Sequence, residues 1–407
     1  MSKITICDIL KEHGGRYITE NKIKGQQKGI IKLLSACQTS ALGSHFRQCH
    51  HCGYLDKVNN SCRNRHCPNC QQKDREKWLE KRMEELLPVG YYHLVFTLPH
   101  QLNRLCLKNK KVMYNILFKA ASISVLELCK DTRHLGANAG LITVLHTWGQ
   151  NMMEHPHLHC IMPAGGLSFD KNHWVNPAKS NGFFIHYKVL SSKFRGKFLA
   201  MLKEAYQKGE LSFKSELKSL GNRKQFNALL SHLYAKPWVV NIQKPLGRNP
   251  ERILEYLSRY VFRIAISDRR IQKVENQMVH FTIKDYKNKG IFRKLKLTVN
   301  EFIRRFLLHL LPKGFLKIRY YGLFANVHRK KNIARANEIL GQQQATEMEQ
   351  NIEDGIKTPV KADNTVWMQI INQIKEYLKL NCPACKKGRM KFAGLVPPGD
   401  IIPVLRE

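Results

Sequence analysis

The chain has 407 residues, and its 68 Lys and Arg residues outnumber its 31 Asp and Glu residues, so its formal net charge is +37. Such a surface favours polyanionic partners, because Lys and Arg neutralise phosphates through counterion release whatever the nucleotide sequence. No apolar run predicts a membrane span and the N-terminus lacks a signal-peptide core, so we expect a cytoplasmic, nucleoid-associated protein. The length and a hydrophobic fraction of 43% predict two or three domains with proper cores.

Residues 1–87 predict a small helical and metal-binding module. Residues 4–42 have the apolar spacing of helices, and residues 74–87 predict a charged amphipathic helix. Two C-x2-C knuckles between these helices have the spacing of one structural zinc site, whereas the scattering of the other cysteines argues against a disulfide scaffold. The four predicted zinc ligands are Cys49, Cys52, Cys67 and Cys70.

The loop between the two knuckles carries further candidates. Cys62 and His66 could belong to a second zinc site together with His45. Arg63 and Arg65 lie on the same loop, where their guanidinium groups are candidates for DNA binding. Three cysteines in apolar contexts are predicted to be core residues. They are Cys106, Cys129 and Cys160.

Residues 88–330 alternate between strand and helix patterns and predict an α+β domain. The patterns predict strands at 91–99, 141–148, 279–283 and 316–321, and helices at 112–130 and 299–311. Residues 188–235 are helical and basic, as expected of an insertion in that domain.

A third strand in this region carries three alternating histidines, His155, His157 and His159. Side chains two apart share one face of a strand, so the three imidazoles are predicted to converge on a metal ion. With 18 histidines in the chain, a lone His-hydrophobic-His triplet would arise by chance about one time in three, but three alternating histidines are rarer. A divalent ion there, Mg²⁺ or Mn²⁺, would polarise a scissile phosphate.

Residues 250–266 predict a helix that is capped by Asn249 and begins at Pro250. Tyr256 and Tyr260 are four residues apart, so their phenols face the same side. Two such tyrosines commonly pack in a core, but Arg259 and Arg263 make this helix unsuited to full burial and are candidate DNA-binding residues. Near a metal or arginine, either phenol could serve as a nucleophile.

Together these residues resemble a known family. The stretch His157-Leu158-His159 has the His-hydrophobic-His signature of HUH single-strand endonucleases. Tyr256 to Tyr260, followed by Arg263 to Ser267, is similar to the two-tyrosine motif of rolling-circle insertion-sequence transposases. Residues 60–70 resemble the zinc-binding domain that precedes the catalytic domain in those transposases, and the resemblance covers most of residues 30–330.

The resemblance implies an HUH endonuclease core, a central antiparallel sheet with helices on one face and the histidines on a middle strand. It also implies nicking of single-stranded element ends and target DNA through 5′-phosphotyrosine intermediates, with the free 3′-hydroxyl able to prime host replication. The third metal ligand differs among such enzymes, so Gln150, Glu154 or a residue near the tyrosine helix are alternatives to His155. The alternative functions are a plasmid or phage replication initiator or relaxase, and a zinc-dependent DNA-binding protein without catalysis.

Residues 331–407 predict a polar linker and a helical tail. The linker is rich in Gln and Glu and is expected to be flexible or loosely helical, and a helix is expected near residues 366–378. Cys382 and Cys385 then form a third knuckle, which is half a zinc site. Its remaining ligands could come from His328 or a partner chain. Alternatively, and with equal weight, Cys382 and Cys385 are surface cysteines that bind no metal.

Overall fold

The computed structural model describes residues 4–71, 78, 82, 85–177, 185–243, 265–285, 288, 290–353 and 381–397. The chain forms two compact units that interleave along the sequence. One comprises Met1–Glu80, Ser267–Leu307 and Thr358–Glu407, and the other comprises Lys81–Ile266 and Leu308–Lys357. The functional division at residues 87 and 330 stays a prediction.

The first unit begins with two helices, α1 (Ile6–Glu20) and α2 (Gly25–Ser35). Thr5 starts α1 with a capping box, in which its hydroxyl accepts from the Asp8 amide and the Asp8 carboxylate accepts from the Thr5 amide. A three-stranded antiparallel sheet follows, in the order β13-β1-β2. Its strands are β1 (Ser44–Cys49), β2 (Leu55–Asn59) and β13 (Met390–Val396), so the last described strand pairs with the first.

A second antiparallel sheet of this unit consists of β9 (Ile271–Glu275), β10 (Met278–Asp285) and β11 (Ile291–Thr298), with β10 in the middle. Helix α7 (Val299–Leu308) follows β11 directly. It buries apolar side chains at helical spacing, including Phe302 and Phe306.

The second unit is built around a five-stranded antiparallel sheet in the order β12-β4-β5-β3-β8. The strands are β3 (Tyr91–Thr97), β4 (Gly140–Trp148), β5 (Glu154–Pro163), β8 (Val240–Gln243) and β12 (Ile318–Gly322). A separate two-stranded ladder joins β6 (Gly166–Leu167) to β7 (Trp174–Val175). The predicted α+β fold, with the histidine strand in the middle of an antiparallel sheet, is confirmed.

Helices supply the core on one face of this sheet. They are α3 (Asn103–Lys108), α4 (Lys110–Lys130), α5 (Tyr187–Gln207) and α6 (Arg223–Ala235). Leu158, Cys160 and Met162 of β5 pack in one cluster with side chains from these helices, such as Phe118 and Phe194. The helices α5 and α6 lie in the region predicted as a helical insertion, and they contribute to this core.

One expectation from the sequence needs correction, and another is made more definite. Helix α4 is long and apolar enough to cross a membrane by length and composition, although no such run was expected. Two thirds of its most apolar window, 67%, are buried within the protein, as in the core helix of a globular domain. The polar stretch that begins at Arg329 was expected to be a flexible or loosely helical linker. It forms the regular helix α8 (Arg329–Glu353), because Ile333, Ala336 and Ile339 recur at helical spacing and are buried.

Candidate active site

Apolar side chains and histidines alternate along strand β5, so they lie on opposite faces of the sheet. Leu158 and Cys160 point into the helix-covered core, so His157 and His159 lie on the opposite face of the sheet. The neighbouring strands add imidazoles to that face. In the pairing of β4 with β5, His146 lies directly opposite His157, and His93 of β3 is a diagonal neighbour of His159.

His146, His157 and His159 form a group that could hold a metal ion, called here the histidine cluster. Each offers one ring nitrogen, and these three atoms lie within 4.8 Å of one another. The Nε2 atoms of His157 and His159 are 3.1 Å apart. The His146 ring is buried and stacks on Trp148, with ring centroids 4.5 Å apart and planes 21° from parallel.

His155 was the predicted third ligand, and the structure replaces it with His146. Residues two apart on a strand share a face but are about 6.6 Å apart along it, whereas a neighbouring strand is only about 4.8 Å away. A third ligand therefore comes more easily from β4 than from further along β5. His155 is exposed at the start of β5, and neither it nor Glu154 belongs to a metal-binding group of His, Cys, Asp and Glu side chains among the described residues.

Hydrogen bonds show which ring nitrogen carries the proton in His157 and in His159. His157 Nδ1 donates to the His155 carbonyl, 2.6 Å away, which leaves His157 Nε2 as the unprotonated atom. His159 Nδ1 lies 2.9 Å from Nε2 of His93, and His93 Nδ1 lies 3.1 Å from Oε1 of Gln243. Since an amide oxygen only accepts, His93 donates to Gln243 and accepts from His159. The proton of His159 is then on Nδ1, so Nε2 is the unprotonated nitrogen that can bind a metal.

Burial keeps the imidazoles of His157 and His93 neutral. Loss of hydration lowers the pKa of His157 to about 4, and it lowers that of His93 to about 4 against a smaller raising effect from Gln243. Metals bind the neutral ring, so His157 is in its metal-binding form at physiological pH. Three nitrogen donors, two of them with tautomers fixed by hydrogen bonds, therefore fit a divalent ion.

The tyrosine motif and its arginines lie outside the described residues. These are Tyr256, Tyr260, Arg259 and Arg263.

The cysteines form two metal-binding groups among the described residues, and their membership differs from the predicted one. The inner cysteine cluster consists of Cys37, Cys62, Cys67 and Cys70. The tail cysteine cluster consists of Cys49, Cys52, Cys382 and Cys385. The predicted joint site of Cys49 and Cys52 with Cys67 and Cys70 is therefore wrong.

The hairpin of β1 and β2 explains this regrouping. Cys49 ends β1, whereas Asn59 at the end of β2 pairs with Ser44 at the start of β1. The chain consequently leaves for Cys62 from the opposite end of the hairpin, about 17 Å along the strand from Cys49. The first knuckle and the second cannot share one ion.

The remaining predicted ligands are held otherwise. Nδ1 of His66 lies 3.2 Å from Oδ1 of Asn64, and Nδ1 of His45 lies 2.8 Å from Oδ1 of Asn60. Neither histidine joins Cys62 in a metal-binding group of the described chain, and Cys37 does so instead.

The other predicted residues lie as follows. Arg63 and Arg65 are exposed on the loop that leads into the inner cysteine cluster. The knuckle of Cys382 and Cys385 finds its partners in Cys49 and Cys52 rather than in His328. The three cysteines predicted to be core residues are buried, which confirms that prediction.

An antiparallel sheet with paired histidines on its middle strand, together with a cysteine-rich module, is the arrangement that the resemblance to HUH-type transposases predicts. Comparison with known proteins agrees. Residues 140–332 match the family described as "Putative transposase", and residues 9–98 match the family described as "Transposase zinc-binding domain". No solved structure matches the chain.

Two relatives extend the match over most of the chain. A protein of Sinorhizobium fredii named "Putative transposase y4qJ" is 38% identical over 389 residues, 95% of this chain and 94% of the relative. The transposase for insertion sequence element IS801 of Pseudomonas savastanoi pv. phaseolicola is 27% identical over 304 residues, 73% of this chain and 70% of the relative. The chain belongs to the HUH-type, two-tyrosine transposases of rolling-circle insertion sequences that carry an N-terminal zinc-binding domain.

Proposed function

We propose that this transposase nicks single-stranded DNA at its element ends and transfers the strand through 5′-phosphotyrosine intermediates on Tyr256 and Tyr260. The observation that carries the proposal is the convergence of three imidazoles on the face of the sheet opposite the helix-covered core. A bound divalent ion would act there as a Lewis acid on the scissile phosphate. The substrates are the element ends and the target site, which places the enzyme with DNA in the bacterial cytoplasm.

The chemical step is a phosphoryl transfer. A tyrosine phenol loses its proton and its oxygen attacks the phosphorus, so an O–P bond forms to the protein while the bond to the 3′-oxygen breaks. That oxygen leaves as a free 3′-hydroxyl, which host replication proteins could extend. Two tyrosines on one helical face support two such linkages in succession.

The donor set bears on the choice between Mg²⁺ and Mn²⁺. Imidazole nitrogen is a poor ligand for Mg²⁺, which prefers oxygen, whereas first-row transition ions accept nitrogen readily. We therefore expect Mn²⁺ to support cleavage at lower concentration than Mg²⁺.

The inner cysteine cluster is proposed as the structural zinc site of the matched zinc-binding domain. A tetrahedral ion with Zn–S bonds of about 2.3 Å sets its sulfur atoms about 3.8 Å apart. Cys70 lies 3.7 Å from Cys37 and 3.6 Å from Cys62, measured between sulfur atoms. Arg63 and Arg65 on the adjoining loop are proposed to contact the phosphates of the element ends.

A comparison of two histidines tests the metal site. His146→Ala should reduce nicking of a labelled single strand, taken from the DNA that flanks the gene, by about 100-fold or more, since it removes a ligand. His155→Ala is the matched control and should retain nicking, because its ring lies outside the histidine cluster. Loss of nicking in His155→Ala with full activity in His146→Ala would reverse the assignment.

The same assay separates the alternative functions. A DNA-binding protein without catalysis would leave the strand intact with every divalent ion. A replication initiator or relaxase would nick a plasmid or phage origin in preference to the flanking DNA of this element. We expect the opposite preference.

A further inference from the structure

The tail cysteine cluster lies partly outside the matched zinc-binding domain, which ends at residue 98. Its two knuckles are separated by about 330 residues of sequence, yet their sulfur atoms face one another. Cys49 Sγ lies 3.7 Å from Cys385 Sγ, and Cys52 Sγ lies 3.6 Å from Cys382 Sγ. A disulfide would need about 2.05 Å, whereas a tetrahedral zinc site needs about 3.8 Å between sulfur atoms.

Backbone amides donate hydrogen bonds to three of these sulfur atoms, as expected at a site that binds a cation through thiolates. The amide of His51 donates to Cys49 Sγ at 3.4 Å, and the amide of Gly388 donates to Cys385 Sγ at 3.3 Å. The amide of Cys385 lies 3.5 Å from Cys382 Sγ. Such donors stabilise thiolates, which are the form of cysteine that binds zinc.

The approach of the two knuckles is close enough to require a glycine. A Cβ atom on Gly388 would lie 2.3 Å from Cys49 Sγ and 2.6 Å from the Cβ of His51. The backbones on both sides also bond directly, since the His50 amide donates to the Arg389 carbonyl at 3.2 Å. The two knuckles therefore form one built site rather than two neighbouring turns.

Strand β13 has little else to hold it on β1. Of its seven residues only Met390 is buried, while Phe392 and Leu395 are 66% and 74% exposed. Burial of apolar surface therefore contributes little to docking this strand. The backbone hydrogen bonds between β13 and β1 replace hydrogen bonds to water, so their net contribution to stability is also modest.

We propose that the tail cysteine cluster binds a second structural Zn²⁺, which docks the C-terminal strand β13 onto the N-terminal sheet. The ion joins two knuckles that are far apart in the sequence. With zinc bound the sheet has three strands, and without zinc β13 detaches and leaves two. The inference stands apart from the nicking reaction and is tested without it.

The test measures zinc content and hydrogen exchange in the full-length protein. Cys382→Ser with Cys385→Ser should remove one zinc per chain and speed amide exchange in residues 44–49 and 390–396. Cys106→Ala, which changes a buried thiol outside the clusters, should leave zinc content unchanged. An unchanged zinc content in the double variant, or a disulfide between the knuckles found by mass, would overturn the proposal.

A second pair of variants keeps all four thiols. Gly388→Ala places a methyl group against Cys49 and should speed release of this zinc to a chelator by about tenfold or more. Gly394→Ala on the same strand has no heavy atom within 4 Å of the added carbon and should leave release unchanged. Equal release rates in the two variants would contradict a zinc ion at this site.

Discussion

At the scale of single residues, the chain of hydrogen bonds behind His159 is the most informative feature of the active site. His93 is buried between His159 and Gln243, and it holds the one orientation of His159 that presents Nε2 to the histidine cluster. Outer partners of this kind orient a metal ligand and raise its basicity. His93 is therefore a positioning residue for the proposed catalytic ion.

The first prediction concerns this residue. His93→Phe keeps an aromatic ring in the sheet but cannot accept from His159, so Mn²⁺ affinity should fall by about 10- to 100-fold in isothermal titration. His173→Phe, an exposed histidine of the same unit, serves as the control. A His93→Phe protein that is folded and binds Mn²⁺ as tightly as the parent would remove His93 from this role.

Only part of the site could be predicted from local sequence. His157 and His159 were found because alternation on one strand is a local property. His146 was missed because its partnership depends on the register between β4 and β5, which no local pattern contains. A single imidazole in the otherwise apolar run of β4 was the signal available. The cysteine groups were mispredicted for the same reason. The local sequence shows the two cysteines of one knuckle, but only the tertiary fold determines which other cysteines complete the site.

At the scale of elements, periodicity predicted the strands and helices that bury a face. The strands β3, β4 and β5 and the helix α4 were predicted within a few residues. The strand β11 was missed because most of its side chains are exposed, which leaves no apolar face to detect. Helix α8 was predicted only as a flexible or loosely helical linker, because its apolar residues are few.

The second prediction compares two glycines at element level. Gly322 ends β12 with φ of 61°, and an added Cβ would lie 2.0 Å from the Ala139 carbonyl oxygen. Gly322→Ala should therefore loosen the pairing of β12 with β4 by about 1–3 kcal/mol. Gly341→Ala in α8 meets no atom within 4 Å and should instead stabilise its helix by about 0.5–1 kcal/mol.

Amide hydrogen exchange resolves the two effects. Faster exchange of the β4 amides is expected in Gly322→Ala alone, and slower exchange of the α8 amides in Gly341→Ala alone. Unchanged protection of β4 in Gly322→Ala would show that the strand end relaxes without cost.

At the scale of the whole molecule, we expect DNA binding and DNA nicking to depend on different residues. The net charge of +37 is spread along the chain, so DNA affinity should not depend on the histidine cluster. His157→Ala with His159→Ala should abolish nicking while the dissociation constant for a single strand stays within about threefold of the parent.

The salt dependence of binding checks the origin of that affinity. The logarithm of the binding constant should fall linearly with the logarithm of salt concentration, with a slope of about −4 for about six phosphate contacts on a single strand. The same slope is expected for the double histidine variant. A flat salt response would exclude phosphate neutralisation as the main source of affinity.

The central claim is that a tyrosine of the Tyr256 and Tyr260 pair becomes covalently joined to DNA. The direct measurement is mass spectrometry of the peptide trapped on a labelled single strand in the presence of Mn²⁺. We expect a phosphotyrosyl adduct on Tyr256 or Tyr260 in the parent protein, and none when both are changed to Phe, because Phe keeps the ring and loses the nucleophilic oxygen. An adduct on any other residue, or undiminished adduct in the double Phe variant, would contradict the account.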